Sequence, residues 1–206
     1  MESRIIRNIP HIEGNYQTFI SIPISYSLKY DSLIKEVLKY LTLSNQSNSI
    51  EKIDKSNFHI SLLKSSKFLK SIEIEKFIIE IKNNLSTFKK FQIGITNQVK
   101  FLSNDYLNRF FICLLVMKNK NLLNLYKVIQ DLLKKFNLEE SEDVFSIKDY
   151  LFHVSILSSV NNDFGITEEE LNKKVSNKST KIIKLVSVEY ISLTIGKRDY
   201  LIKLKE

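Results

Sequence analysis

The sequence predicts an α+β protein of two pseudo-symmetric lobes, each with an antiparallel sheet and helices, facing each other across a cleft. Three observations predict it. The order strand, helix, His-bearing strand, helix, strand runs once over roughly residues 17–102 and again over 109–204. Two of the three histidines sit in nearly the same word, FHIS at 58–61 and FHVS at 152–155. Nothing between the halves reads as a flexible linker, so residues 1–206 are expected to form a single domain.

In the first half, Gln17–Ile24 (QTFISIPI) alternates as a strand does. Leu33, Ile34, Val37, Leu38 and Leu41 recur at helical spacing, which predicts a helix over 28–42. The polar stretch SNQSNSIEKIDKSN reads as a loop, and Phe58–Leu63 as a short strand. Ile74, Phe77, Ile78, Ile81 and Leu85 stripe a second helix, and Phe91–Leu102 follows as a longer strand. In the second half, Arg109–Met117 is a strand. Leu122, Leu125, Tyr126, Ile129, Leu132, Leu133 and Phe136 then make a strong helical stripe. A loop around EESEDVFSIKD leads to the strand Leu151–Leu157. Thr167 is the expected N-cap of a short helix opening on Glu168, Glu169 and Glu170. Residues 182–195 and 199–204 are expected to form a last hairpin around Gly196.

Composition narrows the function classes. With 43% hydrophobic residues, the 206-residue chain can bury a sizeable core. The longest apolar run, Phe110–Met117, is too short to cross a bilayer. The opening MESRIIRNIP lacks a secretory apolar segment, so an intracellular, reducing compartment is expected. Cys113, the single cysteine, lies in that apolar run and reads as a buried, inert thiol. One cysteine excludes an intramolecular disulfide framework and a cysteine-based zinc site. The net charge of +8 suits a polyanionic partner such as nucleic acid. Yet lysine carries the excess, with arginine only at Arg4, Arg7, Arg109 and Arg198. An RNA-binding surface and a Lys-, Asn- and Ile-rich background both account for it.

The two words carry the chemistry. On a strand, Phe58, Ile60 and Leu62 face one side and His59 and Ser61 the other. Phe152, Val154 and Ile156 are likewise separated from His153 and Ser155. A pseudo-two-fold brings both His–Ser pairs to one cleft, as a phosphoester site without metal or cofactor. An imidazole with an unperturbed pKa of about 6.5 can serve as acid or base near neutrality. The hydroxyls can donate to phosphoryl oxygens, where charge develops in the transition state. With RNA as substrate, its own 2′-OH is the nucleophile. The alternative, two core histidines with chance serine neighbours, leaves unexplained the shared Phe before each His and the aliphatics flanking each Ser. His11, in NIPHIEGN, lacks the word and reads as structural or a turn residue.

Two HxS words spaced in this way resemble the mark of the 2H phosphoesterase superfamily. Within it the chain most resembles the U6 snRNA phosphodiesterases. The stretches RNIPHIEGNYQTFISIP, TNQVKFLSN with RFFICLLV, and KKFNL ahead of FHVSIL carry the likeness, from about Arg4 to Leu204. The resemblance implies a bilobed 2H fold and a 3′→5′ exoribonuclease that trims the oligouridine tail of U6 snRNA. It implies a 2′,3′-cyclic phosphate or 3′-phosphate end, a nuclear location, a role in splicing, and a monomer acting on RNA away from membranes. It also implies that His59 and His153 are the catalytic pair, with Ser61 and Ser155 on the scissile phosphate. His153 is assigned as base towards the 2′-OH and His59 as acid towards the 5′-oxygen.

The family's tyrosine ahead of the second word is replaced here by Ser146 or Ile147, with Tyr150 or Phe145 as substitutes for stacking on a base. Asn97, Gln98 and Lys100 match the family's NQVK, either as RNA contacts or as strand supports. Lys64 either holds a phosphate or is a solvated lysine. The competing readings are another 2H-type 2′,3′-cyclic nucleotide phosphodiesterase and a non-catalytic RNA-binding protein on the same fold.

Overall fold

The computed structural model describes residues 13–25, 27–42, 50–63, 67–104, 107–138, 150–175 and 180–206, without the side chains of Thr42 and Lys67. In order these give β1 (Asn15–Pro23), α1 (Leu28–Thr42), β2 (Ile50–Lys52), β3 (His59–Ser61), β4 (Lys67–Lys70), α2 (Ile74–Leu85) and β5 (Phe91–Ser103). Then come β6 (Phe110–Val116), α3 (Lys120–Lys135), β7 (His153–Ser159), α4 (Glu168–Val175), β8 (Ile182–Val188), β9 (Tyr190–Ile195) and β10 (Arg198–Lys203).

The strands form one sheet in the order β10-β9-β1-β3-β7-β6-β5-β8, with β2 added to β7 and β4 to β1. β3 and β7, the strands bearing the two words, lie side by side at its middle. About them the chain repeats itself: β1–α1–β3 on one side corresponds to β6–α3–β7 on the other. The flanking strands trade places, however. β5 pairs with β6 beside the second His strand, and β9 and β10 join β1 beside the first. The halves of the sheet therefore do not follow the expected divide of 17–102 and 109–204. Neighbouring strands joined by a short loop pair as hairpins, and β5–β6 obeys that preference across the divide, as β9–β10 does within the second half of the sequence.

The expected strand over 182–195 is in fact two. β8 pairs with β5, β9 pairs with β1, and Glu189 alone separates them, so an extended run crosses from one half of the sheet to the other. Backbone bonds from Lys90 N to the Lys205 carbonyl (2.8 Å) and from Lys205 N to the Phe88 carbonyl (2.7 Å) close the same end. Gly196 opens the two-residue β9–β10 loop at φ 60°, a value this turn asks of its first residue.

The helices start where their caps dictate. Asn119 accepts from Leu122 N at 2.9 Å to begin α3. Thr167 and Glu170 form a reciprocal box before α4: Glu170 N donates to Thr167 Oγ1 (3.2 Å), and Thr167 N donates to Glu170 Oε2 (3.1 Å). Those bonds hold the Glu170 carboxyl below its ordinary range, the backbone donor being the larger cause. The apolar stripes of α1, α2 and α3 enter one continuous core with Ile20, Ile22, Ile60, Leu62, Val154 and Ile156. Among the described residues no helix is long and apolar enough to cross a membrane.

Candidate active site

β3 and β7 meet at Ile60 opposite Val154, the middle residues of the two words. In an antiparallel pair this register sets His59 across from Ser155 and His153 across from Ser61. Side chains alternate, so all four lie on one face, while Phe58, Ile60, Phe152 and Val154 are buried on the other. The two imidazoles are diagonal neighbours, about 7–8 Å apart at the backbone.

Each ring is held in the same way. His59 Nδ1 lies 2.7 Å from the Asn57 carbonyl, and His153 Nδ1 lies 2.8 Å from the Leu151 carbonyl. A carbonyl oxygen only accepts, so each Nδ1 carries a proton and each Nε2 is left for the cleft. Burial holds the His153 imidazole below its ordinary range; the Leu151 carbonyl opposes this, and the neighbouring His59 adds to it. A pKa below the ordinary value of about 6.5 leaves the His153 imidazole neutral at pH 7.

The support behind each word repeats too. Phe58 meets the Tyr30 ring of α1 edge-on at 5.8 Å, and Phe152 meets the Tyr126 ring of α3 at 5.3 Å. Each helix thus anchors the phenylalanine next to one histidine. The sequence singles out neither for this role: Tyr126 reads only as part of an apolar stripe, and Tyr30 has no signal of its own. Phe19 of β1 was missed as well: its ring stands edge-on to His59 at 5.3 Å. The alternation of β1 could have shown it, because Ser21 pairs with Ser61 and Pro23 with His59, which puts Phe19 on the same face.

The residues considered as RNA contacts fare differently. Tyr150 lies beside Tyr126 and Phe152, at 4.5 and 4.9 Å, and its hydroxyl donates to the Ser61 carbonyl (3.2 Å) and the Leu63 carbonyl (3.0 Å). It ties the approach to β7 onto the end of β3. Asn97 is buried and clasps the chain ahead of β8, its Oδ1 accepting from Lys181 N at 2.8 Å. Lys100 pairs with Glu168 at 2.8 Å, and the other oxygen of that carboxylate accepts from Phe101 N. The contacts of these three residues tie neighbouring segments of the chain together; Gln98 is exposed. His11, Lys64, Phe145, Ser146 and Ile147 lie outside the described residues. Among the described residues no three His, Cys, Asp or Glu side chains gather as metal ligands.

Chemically, the face offers two Nε2 atoms set diagonally and two hydroxyls on the other diagonal. That is an arrangement for moving protons on either side of a tetrahedral anion. A U6 snRNA phosphodiesterase 1 of Dictyostelium discoideum is 25% identical over 212 residues, which cover 97% of this chain and 74% of its own. A structure of Kluyveromyces marxianus Usb1 with uridine monophosphate is 14% identical, with a TM-score of 0.63 over 91% of this chain and 98% of that one. E. coli LigT complexed with 3′-AMP is 9% identical, with a TM-score of 0.53 over 93% and 96% of the two chains. At these identities the two structures show the fold, that of the 2H phosphoesterases. A family model, HVSL, described as an uncharacterised conserved protein, matches residues 2–203, and the chain belongs to that family.

Proposed function

We propose that the protein is a metal-independent 3′→5′ exoribonuclease that trims the 3′ oligouridine tail of U6 snRNA, and that it acts in the nucleus as a monomer. The observation that carries this reading is the register of the two words, which places both Nε2 atoms and both serine hydroxyls on one face. The name and span of the Dictyostelium relative support the substrate.

In this reading the 2′-OH of the penultimate nucleotide attacks the phosphorus of the terminal linkage. His153 Nε2 takes the hydroxyl proton as the new P–O bond forms. His59, protonated, gives its Nε2 proton to the departing 5′-oxygen of the terminal nucleoside. Ser61 and Ser155 donate to the non-bridging oxygens. The shortened RNA carries a 2′,3′-cyclic phosphate. Where water then attacks, the two imidazoles exchange roles and a 3′-phosphate results.

An RNA oligomer ending in several uridines, incubated in EDTA, tests the reading. Stepwise shortening from the 3′ end is expected. No shortening, internal cuts, or activity confined to mononucleotide 2′,3′-cyclic phosphates would contradict it.

The lowered pKa of His153 also fixes one limb of the pH–rate profile. The base must be neutral, and protonation of His153 removes it. Because its pKa lies below the ordinary value of about 6.5, the acid limb of kcat/KM is expected below pH 6.5. Paired acid–base catalysis adds a second, falling limb at higher pH. A profile flat between pH 5 and about 9 would contradict paired imidazoles.

A further inference from the structure

We infer that Cys113 is a positioning residue for the phosphate contact of Ser155, acting through a hydrogen bond from its thiol; this rests on the phosphodiesterase reading above. Cys113 on β6 pairs with Ser155 in the β6–β7 ladder, and its Sγ lies 3.4 Å from Ser155 Oγ. The thiol has no exposed surface. Burial pushes its pKa up to about 12, against the opposing bond to Ser155. It therefore stays an S–H wherever the imidazole pair operates, and it is not a nucleophile.

A serine hydroxyl has one proton to give. Once Ser155 donates it to a phosphoryl oxygen, Oγ can only accept from behind. Cys113 Sγ–H is the donor at that place among the described residues. The result is a line S–H···O–H···O–P, in which each bond polarises the next. Its strengthening grows as negative charge builds on the phosphoryl oxygens in the transition state.

The pseudo-two-fold offers an internal comparison. Ser21 on β1 pairs with Ser61 as Cys113 pairs with Ser155, and it is 6% exposed. The chain thus sets a small side chain with a donor beside each phosphate-binding serine, a thiol on one side and a hydroxyl on the other. Cys113→Ser copies what already stands at position 21.

The test is steady-state cleavage of the uridine-tailed RNA by wild type, Cys113→Ala, Cys113→Ser, Ser155→Ala and the Cys113→Ala/Ser155→Ala double variant. Urea unfolding of each variant runs alongside. Cys113→Ala is expected to lower kcat about 3- to 10-fold with KM changed less than about 2-fold. Cys113→Ser is expected to restore most of the loss, and Cys113→Ala to cost nothing further in the Ser155→Ala background. Equal losses in both backgrounds, or an unchanged kcat, would overturn the inference while the wild type still cleaves. A wild type that cleaves no RNA overturns the phosphodiesterase reading and takes this inference with it.

Discussion

Replacing His153 by alanine is expected to lower kcat by about 10²–10⁴, and replacing His59 by a similar factor. The two losses should not multiply in the double variant. In the proposed reaction both imidazoles act on one phosphorus, and losing either end of the proton transfer already forfeits most of the concerted benefit. The register supports equal importance: each histidine faces the other word's serine across a single antiparallel step. Each ring is fixed by a carbonyl two residues back in sequence. A variant lacking His59 that keeps wild-type kcat would remove it from the chemistry. Urea unfolding of both variants separates lost chemistry from lost fold.

The second large effect is on stability. Phe152→Ala is expected to cost about 3–5 kcal/mol, measured as the change in unfolding free energy in urea. Phe152 is 1% exposed and packs against the rings of both Tyr126 and Tyr150, at 5.3 and 4.9 Å. Its removal leaves a cavity directly behind His153, at the centre of the sheet, where rigid strands on both sides limit collapse. Leu151→Ala, at an exposed neighbour, is the control and should change stability by less than about 0.5 kcal/mol. A loss below about 1 kcal/mol at Phe152 would mean that this aromatic stack does not support the site.

The sequence made the local part of this structure legible. The helix expected over 28–42 is α1, because its stripe alone determines the buried face. The two words were legible for the same reason: four consecutive residues on a strand decide which side chains share a face. What depended on pairing was not legible. β2 and β4 are short, at Ile50–Lys52 and Lys67–Lys70, and exist because β7 and β1 offer them free edges. β2 fell within the stretch read as a loop. The strand expected over Phe58–Leu63 is regular only over His59–Ser61, although the backbone bonds from Ile24 N to the Phe58 carbonyl and from Leu62 N to the Ile20 carbonyl carry the contact with β1 past both ends. The break at Glu189 and the exchange of β5 for β9 and β10 between the halves are likewise properties of the assembled sheet. Tyr150 shows the same limit at one residue. Its place before the second word suggested stacking on a nucleobase and gave no sign of the two carbonyls at the end of β3 to which its hydroxyl donates.

The central claim is that the two words form one site using the substrate's own 2′-OH. Cleavage rates of two uridine-tailed oligomers, identical except for a 2′-deoxy penultimate nucleotide in one, test it most directly. The account predicts stepwise trimming of the all-ribose oligomer and no release of the terminal nucleotide from the deoxy one. Equal rates on both would mean that the nucleophile comes from elsewhere, and that the paired histidines do not act as described.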